Sequence, residues 1–185
     1  MIALVLSVVG AMIFKSVSGL LDDTAWVTHT HIVIGKLAEV LSLVKDAETS
    51  QRGYIITGQE QYLKPYHAAI PLLKQNLAEL KALTKDNPTQ QQRLLPLTTA
   101  IQSRLPIAQT IIDVRRTQGF PFAQRFILKG DGRRQMDLIR SRIAHMDEAE
   151  RRLLRIRSNN AQTASCLASI VGASGRTREI TSPLK

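Results

Sequence analysis

The stretch Asp46–Tyr62, DAETSQRGYIITGQEQY, separates two long segments of helix-forming sequence. Glu48 and Arg52 are four residues apart, so on a helix their side chains lie next to each other. Gly53 interrupts a helical pattern, and Gly58 stands where a glycine commonly ends a helix. The stretch therefore predicts the end of a first helix, a turn and the beginning of a second helix.

The segment before this stretch repeats every seven residues, as the seam of a helical bundle does. One seam position holds Trp26, Val33, Val40, Ala47 and Tyr54, and the other holds Thr30, Leu37, Val44 and Gln51. No proline occurs between Met1 and Lys64, so one helix is predicted to reach Thr57. A buried amide at Gln51 would need hydrogen-bond partners and could fix the register of the helices.

Three further helices are predicted after Tyr62. The second ends at a turn over Lys85–Pro88, the third begins at Thr89 and the fourth begins near Asp131. Interior prolines at positions 71, 96 and 106 are expected to bend the second and third helices. The third helix carries an apolar face at Leu94, Leu97, Ile101, Leu105, Ala108 and Ile112. Residues 119–132 are ambiguous and allow a short helix over Phe122–Leu128.

Four helices with short turns and one apolar seam each predict an all-α, up-down-up-down antiparallel four-helix bundle over residues 22–158. In that topology the fourth helix ends beside the start of the first, which brings Arg157 near Asp22 or Trp26. The fourth helix carries Glu150 and Arg157 at seam positions, where each polar group needs a partner or access to water.

The two ends of the chain differ from this bundle. Residues 1–21 are mostly apolar and are predicted to form a transmembrane anchor whose start looks clipped, with the first bundle helix continuing from it. A buried helix of a soluble protein is the alternative. Residues 159–185 are weakly apolar and then read as a disordered tail, and they are compatible with the remnant of a second transmembrane segment.

Composition narrows the class of protein. Only 4% of the residues are aromatic, so the core must rest on aliphatic side chains, which suits helix packing. The net charge of +10 comes entirely from residues 93–185. A basic half can bind nucleic acid or an anionic surface, but solvated faces of helices are the favoured interpretation, so nucleic acid is an unlikely partner.

Residues that could carry chemistry are sparse. His29 and His31 are two apart and face different ways on a helix, so no metal site is predicted. Cys166, the one cysteine, has no predicted base beside it, and no phosphate-binding loop or nucleophile motif occurs. We therefore expect neither an enzymatic activity nor a cofactor.

Four motifs point to a family. They are W-V-x-H-T at Trp26–Thr30, D-A-E-T-x-Q-R-G-Y-x-x-T-G at Asp46–Gly58, Y-L-x-P-Y at Tyr62–Tyr66 and E-R-R-L-L-x-x-R at Glu150–Arg157. Residues 22–158 resemble the third type of CHASE domain through these motifs. That resemblance implies an extracytoplasmic sensory four-helix module of bacterial histidine kinases, diguanylate cyclases and chemotaxis-type receptors. It also implies a dimeric input module in the inner membrane, with its sensory domain periplasmic or extracellular.

The resemblance assigns positions and not ligand contacts. The motif positions expected to be structural are Trp26, His29, Thr30, Glu48, Gln51, Arg52, Gly53, Tyr54, Gly58, Tyr62, Tyr66, Glu150 and Arg157. The ligand is an unknown small molecule or protein. No output domain follows in this chain, so signalling is expected to need a cytoplasmic output domain or partner. The alternatives are a soluble basic helical protein that binds nucleic acid or an acidic partner, and a scaffold dimer without a ligand.

Overall fold

The computed structural model describes the backbone of residues 2–176 and the side chains of residues 25–159, together with Gly10, Gln162 and Thr163. Five α-helices and one 3₁₀ turn make up the described secondary structure, with no strand among those residues. The helices are α1 (Ile2–Thr57), α2 (Lys64–Leu83), α3 (Pro88–Gln118), α4 (Phe120–Leu128) and α5 (Asp131–Arg176), and the 3₁₀ turn Glu60–Leu63 precedes α2. The predicted all-helical class is confirmed.

The first helix ends where the glycine signal predicts. α1 stops at Thr57, and Gly58 follows with a φ of 73°, a left-handed conformation that glycine adopts without a steric penalty. The Gly58 amide donates to the Tyr54 carbonyl over 2.7 Å and closes the last turn. The helix end is therefore determined locally, by the one residue type that fits the cap.

The ambiguous region after α3 forms a short helix. α4 lies between Gly119 and Gly130, both of which have positive φ, and it begins two residues before the predicted Phe122. Pro121 occupies its first turn, where a missing amide hydrogen costs nothing. α2 and α3 both continue through their interior prolines.

The ends of the chain are described in part. α5 begins at Asp131, as predicted, and its backbone continues as helix to Arg176, past Ser158 where the sequence pattern weakens. Residues 177–185 of the predicted tail lie outside the described residues. The side chains of the predicted anchor, residues 1–21, also lie outside them, except for Gly10.

The chain divides into two compact units. A terminal unit comprises residues 1–31 and 151–185, and a central unit comprises residues 32–150. The core of the central unit is built from aliphatic side chains of α1, α2, α3 and α5, among them Val33, Leu37, Val40, Val44, Leu73, Leu80, Leu97, Ile101, Met136, Ile139 and Met146. A second cluster includes Tyr54, Ile55, Leu63, Tyr66, Ala108, Ile112 and Ala123.

Contacts in the central unit join helices that run in opposite directions. Lys36 of α1 pairs with Glu79 of α2 over 2.8 Å, whereas Ser50, later in α1, bonds to Tyr66, earlier in α2. The same opposite order relates α3 to α5, through the contacts Gln90–Glu150 and Arg104–Gly132. These contacts are those expected between antiparallel neighbours of a bundle.

One helical stretch among the described residues, Ala25–Thr57, has the length and composition to cross a membrane. Its apolar seam, however, packs into the core of the central unit, where Val33, Leu37, Val40 and Val44 are almost completely buried. Packing in this core therefore accounts for the apolar side chains of the stretch. Trp26, placed on the same seam by the sequence, is 41% exposed, so the regular seam begins later than the sequence predicts.

Candidate functional site

The structure distributes the motif residues over three places. The first group lies around the turn between α1 and α2 in the central unit: Glu48, Gln51, Arg52, Gly53, Tyr54, Gly58, Tyr62 and Tyr66. The second group, Trp26, His29, Thr30 and Arg157, lies in the terminal unit. Glu150 stands apart, and its buried carboxylate accepts a hydrogen bond from Gln90 over 2.7 Å.

Gln51 is the centre of the first group. Its Nε2 donates to the Ala108 carbonyl over 3.2 Å, and its Oε1 accepts from Nη2 of Arg104 over 2.8 Å. Gln51 is 3% exposed and Arg104 is 8% exposed, so this pair ties α1 to α3 inside the protein. A buried amide with both of its groups bonded can fix the register of two helices.

Arg104 is a buried cation with an incomplete set of partners. Burial lowers the pKa of its guanidinium below the ordinary value, and the nearby Glu48 carboxylate opposes that shift. Within the described part of the chain, its Nε and Nη1 have no hydrogen-bond partner. A buried charge that is only partly paired lowers the stability of the fold, so stability does not explain an arginine at this position.

Glu48 connects α1 to α5. Its carboxylate accepts a hydrogen bond from Arg52 over 2.7 Å and lies 3.6 Å from Nη2 of Arg140. The Glu48 side chain is only 11% exposed, so solvent screens these ion pairs less than it would on an open helix face. The pair of Glu48 and Arg52 is therefore part of a contact between two helices.

Gly53 allows the second helix to approach α1. A Cβ atom at this position would lie 2.7 Å from Cδ1 of Tyr62, a distance that real Cβ atoms do not tolerate. Beside it, the Ser50 hydroxyl donates to the Tyr62 carbonyl and accepts from the Tyr66 amide over 3.0 Å. Ser50 and Gly53 together hold the 3₁₀ turn and the start of α2 against α1.

Two arginines from the end of α3 secure the same turn. Nε of Arg115 donates to the Ile55 carbonyl over 2.7 Å, which satisfies a free acceptor in the last turn of α1. Arg116 binds both carboxylate oxygens of Glu60, at 2.9 and 3.0 Å, and lowers the pKa of that carboxyl. Hydrogen bonds from the two α3 arginines and packing from α2 therefore both stabilise the turn.

An open cleft of about 600 Å³ lies beside this cluster. We call it the basic cleft, because five of its lining side chains are cationic: Arg52, Arg104, Lys129, Arg133 and Arg134. Glu48 also lines it, and an apolar wall is supplied by Ile55, Ile111, Ile127 and Leu128. Lys129 and Gly130 of the turn between α4 and α5 also line the cleft. The cleft is therefore bordered by α1, α3, the end of α4 and the start of α5.

The second group joins α1 to α5 within the terminal unit. The Arg157 guanidinium lies over the Trp26 ring, 4.7 Å from its centre, a cation–π arrangement. Its Nη1 also donates to the Thr30 hydroxyl over 2.5 Å. The His29 ring meets the Trp26 ring edge-on at 5.7 Å, so the four motif residues of this unit form one contact.

Three buried polar residues of these contacts are absent from the sequence prediction: Arg104, Ser50 and Gln90. Arg104 follows Ile101 by three positions and precedes Ala108 by four, which places it on the apolar face of α3. The prediction assigned that face to Leu105, which is only partly buried, whereas Arg104 is buried. The sequence signal for a buried Arg104 was its spacing, which matches that of the apolar residues of α3. No group of three His, Cys, Asp or Glu side chains that could hold a metal occurs among the described residues.

The described residues form an all-helical module with buried polar contacts around the turn between α1 and α2. The model of the CHASE3 domain matches residues 23–160, which is most of the chain. The chain belongs to the CHASE3 domain family. The predicted class of protein, an extracytoplasmic sensory input module, is therefore confirmed.

A solved structure shares the fold. The histidine kinase HK9 sensor domain of Rhodopseudomonas palustris aligns with a TM-score of 0.63 at 24% sequence identity. The alignment covers 67% of this chain and 97% of that domain. Among curated proteins, none matches the chain.

Proposed function

We propose that this chain is the input module of a bacterial inner-membrane receptor and that its central unit lies on the periplasmic side. Family membership supports the sensory role, and the apolar sequence of residues 1–21 supports the membrane anchor. The similar fold of a histidine kinase sensor domain supports a partner with an output function. An output domain or protein on the cytoplasmic side would then convert the signal into a reaction.

The mechanism we infer is a small shift of α1 against α5. The observation that carries it is Glu48, whose carboxylate joins Arg52 of α1 to Arg140 of α5 at the edge of the basic cleft. A ligand changes the position of the helices only if it binds one arrangement more tightly than another. Displacements of one to two ångströms, roughly the size seen at other helix interfaces, would suffice.

The proposed receptor acts as a homodimer, as the family resemblance implies. In a dimer, α1 and α5 of one copy would move relative to the helices of the other copy. This relative movement would carry the signal between the subunits. Chemical cross-linking of the full chain in membranes, with dilution into excess detergent as the control, measures this association.

The basic half of the chain gives little support to the nucleic-acid alternative. Arg115 donates to a backbone carbonyl at the end of α1, and Arg140 pairs with Glu48. Arg134 pairs with Asp131 in the first turn of α5. Each of these three cations is bonded within the protein. A steep loss of DNA affinity with salt would be needed to revive that alternative.

Cysteine labelling of the full chain tests the proposed location. Ala38 and Ala144 are exposed residues of the central unit, so a cysteine at either position disturbs no core contact. Cys166 is replaced by serine so that each protein carries a single thiol. A membrane-impermeant maleimide applied to intact spheroplasts is expected to label both positions. Labelling that appears only after the cells are lysed would place the central unit in the cytoplasm and contradict the proposal.

A further inference from the structure

Arg104, which lines the basic cleft, is a buried cation with two donors that lack acceptors among the described residues. Nε and Nη1 of Arg104 are buried, and no atom of the described residues accepts from them, although Nη2 is bonded to Gln51. Gly132 of α5 covers the guanidinium, since a Cβ atom there would be 3.7 Å from its Cζ. Buried donors that are left unsatisfied beside a cleft favour an acceptor that comes from outside the protein.

A water molecule beside Arg104 would occupy only a small adjoining cavity and not the basic cleft. That cavity holds about 10 Å³ and is lined by Glu48, Gln51 and Tyr66 as well as by apolar side chains such as Leu73 and Ile139. A buried water needs at least that much space and two to four polar partners. The basic cleft, by contrast, has about 600 Å³ and opens to solvent, which is within the range of small-molecule sites.

The charge of the cleft selects an anion. Lys129 and Arg133 line the cleft together with Arg104, and the first turn of α5 presents backbone amides that lack partners within the helix. Glu48 opposes an anion, but its carboxylate is already paired with Arg52 and Arg140. The Asp131 carboxylate at the start of α5 is likewise paired with Arg134.

The apolar side chains that line the cleft select a ligand with an apolar part. Ile55 and Ile111 come from α1 and α3, and Ile127 and Leu128 come from the end of α4. Leu128 is 76% exposed and Ile127 is 45% exposed, so both keep apolar surface that a ligand can cover. A fully hydrated inorganic anion would leave this wall unused.

We propose that the basic cleft binds a small organic acid, with its carboxylate bonded to Arg104 and Arg133 and its apolar body against Ile127 and Leu128. The ligand would then contact the start of α5 and the part of α1 that carries Glu48 and Arg52. This inference names the ligand class of the sensory module and rests on the proposed function only for its role in signalling, not for binding itself.

Binding is tested on the purified full chain with named probes. Acetate, succinate, hexanoate and benzoate at millimolar concentrations are compared with benzamide and inorganic phosphate by isothermal titration and by the shift in melting temperature. We expect at least one of the acids with an apolar body to bind with saturation, and benzamide, which lacks the charge, not to bind. Failure of all four acids to bind overturns the proposal, and so does saturable binding of phosphate at equal or higher affinity.

Matched variants locate the site. Arg133→Gln removes a cation from the cleft wall and is expected to weaken binding of the effective acid by about fivefold, the upper range for an exposed charge pair. Arg142→Gln removes an exposed cation of α5 outside the cleft and is expected to leave the affinity unchanged. Equal weakening by both variants would show a nonspecific effect of net charge and contradict the assigned site.

Arg104→Gln tests the buried cation that lines the cleft. It is expected to weaken binding more than tenfold, because hydrogen bonds to charged groups are stronger when they are buried. Since this variant can lose stability, circular dichroism must first show its helical content, and Arg133→Gln provides the decision if it does not fold. Unchanged affinity in a folded Arg104→Gln variant contradicts the proposal, while the labelling result for Ala38 and Ala144 would still stand.

Discussion

The Arg104 guanidinium donates to the carboxamide oxygen of Gln51 over 2.8 Å, and both side chains are buried between α1 and α3. A neutral amide therefore provides the direct partner of a buried cation. The attraction of Glu48 reaches Arg104 only through space, because that carboxylate is bonded to Arg52. Loss of the Gln51 amide would therefore remove the direct hydrogen-bond partner of this cation.

Replacement of Gln51 by alanine is expected to destabilise the protein by about 3 kcal/mol, because a third donor of the buried Arg104 loses its acceptor. Thermal unfolding followed by circular dichroism measures the change. Gln102→Ala, at an exposed position of the same α3 helix, is the control and should alter stability by less than about 0.5 kcal/mol. Equal effects of the two variants would show that the hydrogen bond to Arg104 contributes nothing.

The sequence predicts the helix limits well where one residue type determines them. Gly58 ends α1 because its left-handed φ suits glycine, and α4 lies between two more glycines of positive φ. The periodic spacing of aliphatic residues likewise predicts most of the core. These features depend on neighbours in the chain, so the sequence carries them directly.

The polar contacts between helices are harder to predict, because they depend on small differences in helix rotation. Arg104 and Leu105 are adjacent, and a rotation of one residue decides which of them faces the core. Apolar periodicity favours Leu105, yet the Gln51 amide accepts from Arg104 and is buried with it. The basic cleft follows from that choice, so the sequence did not predict the candidate site, although it named three of the four α1 residues that line it.

The close contact of Gly53 with Tyr62 leads to a second prediction. In the otherwise unchanged protein, Gly53→Ala should destabilise by about 1 kcal/mol, since the new methyl group would displace the Tyr62 ring. In a Tyr62→Ala background the same change should stabilise by about 1 kcal/mol, because alanine is the better helix former. Thermal unfolding of the four proteins of this double-mutant cycle measures both effects.

Gly35 provides the matched control for this cycle. It lies within α1 with no atom within 4 Å of an added Cβ, so Gly35→Ala should stabilise by about 1 kcal/mol with or without the Tyr62 ring. If Gly53→Ala behaves like Gly35→Ala in both backgrounds, the Tyr62 ring does not constrain this position.

Trp26, the only tryptophan of the chain, reports on the contact between α1 and α5 in the terminal unit. Because the Arg157 guanidinium lies 4.7 Å from the centre of its ring, Arg157→Ala should expose one ring face and increase quenching of the fluorescence by acrylamide. The lost cation–π interaction is worth about 0.5–1 kcal/mol at an exposed site. Arg155→Ala, an exposed neighbour on the same helix, should leave quenching unchanged, and equal quenching in all three proteins would disprove the contact.

The ion pair of Glu60 with Arg116 predicts a pH dependence at the α1–α2 turn. Hydrogen bonding from Arg116 lowers the pKa of Glu60 below its ordinary value of 4.5, so the folded state binds this proton more weakly than the unfolded state does. The pair therefore stabilises the fold above pH 4.5, and the stabilisation is lost as the pH falls through the lowered pKa.

Glu60→Gln removes the pair at every pH and isolates its effect on stability. The melting temperature of the unchanged protein should exceed that of Glu60→Gln at neutral pH, and the difference should shrink as the pH is lowered below 4.5. Added salt should also shrink the difference at neutral pH, because both groups of the pair are partly exposed. Glu148→Gln, at an exposed position of α5, controls for the change in net charge. A difference that stays constant from neutral to acidic pH would mean that Glu60 contributes through packing or neutral hydrogen bonds, and the electrostatic role of Arg116 at this turn would have to be abandoned.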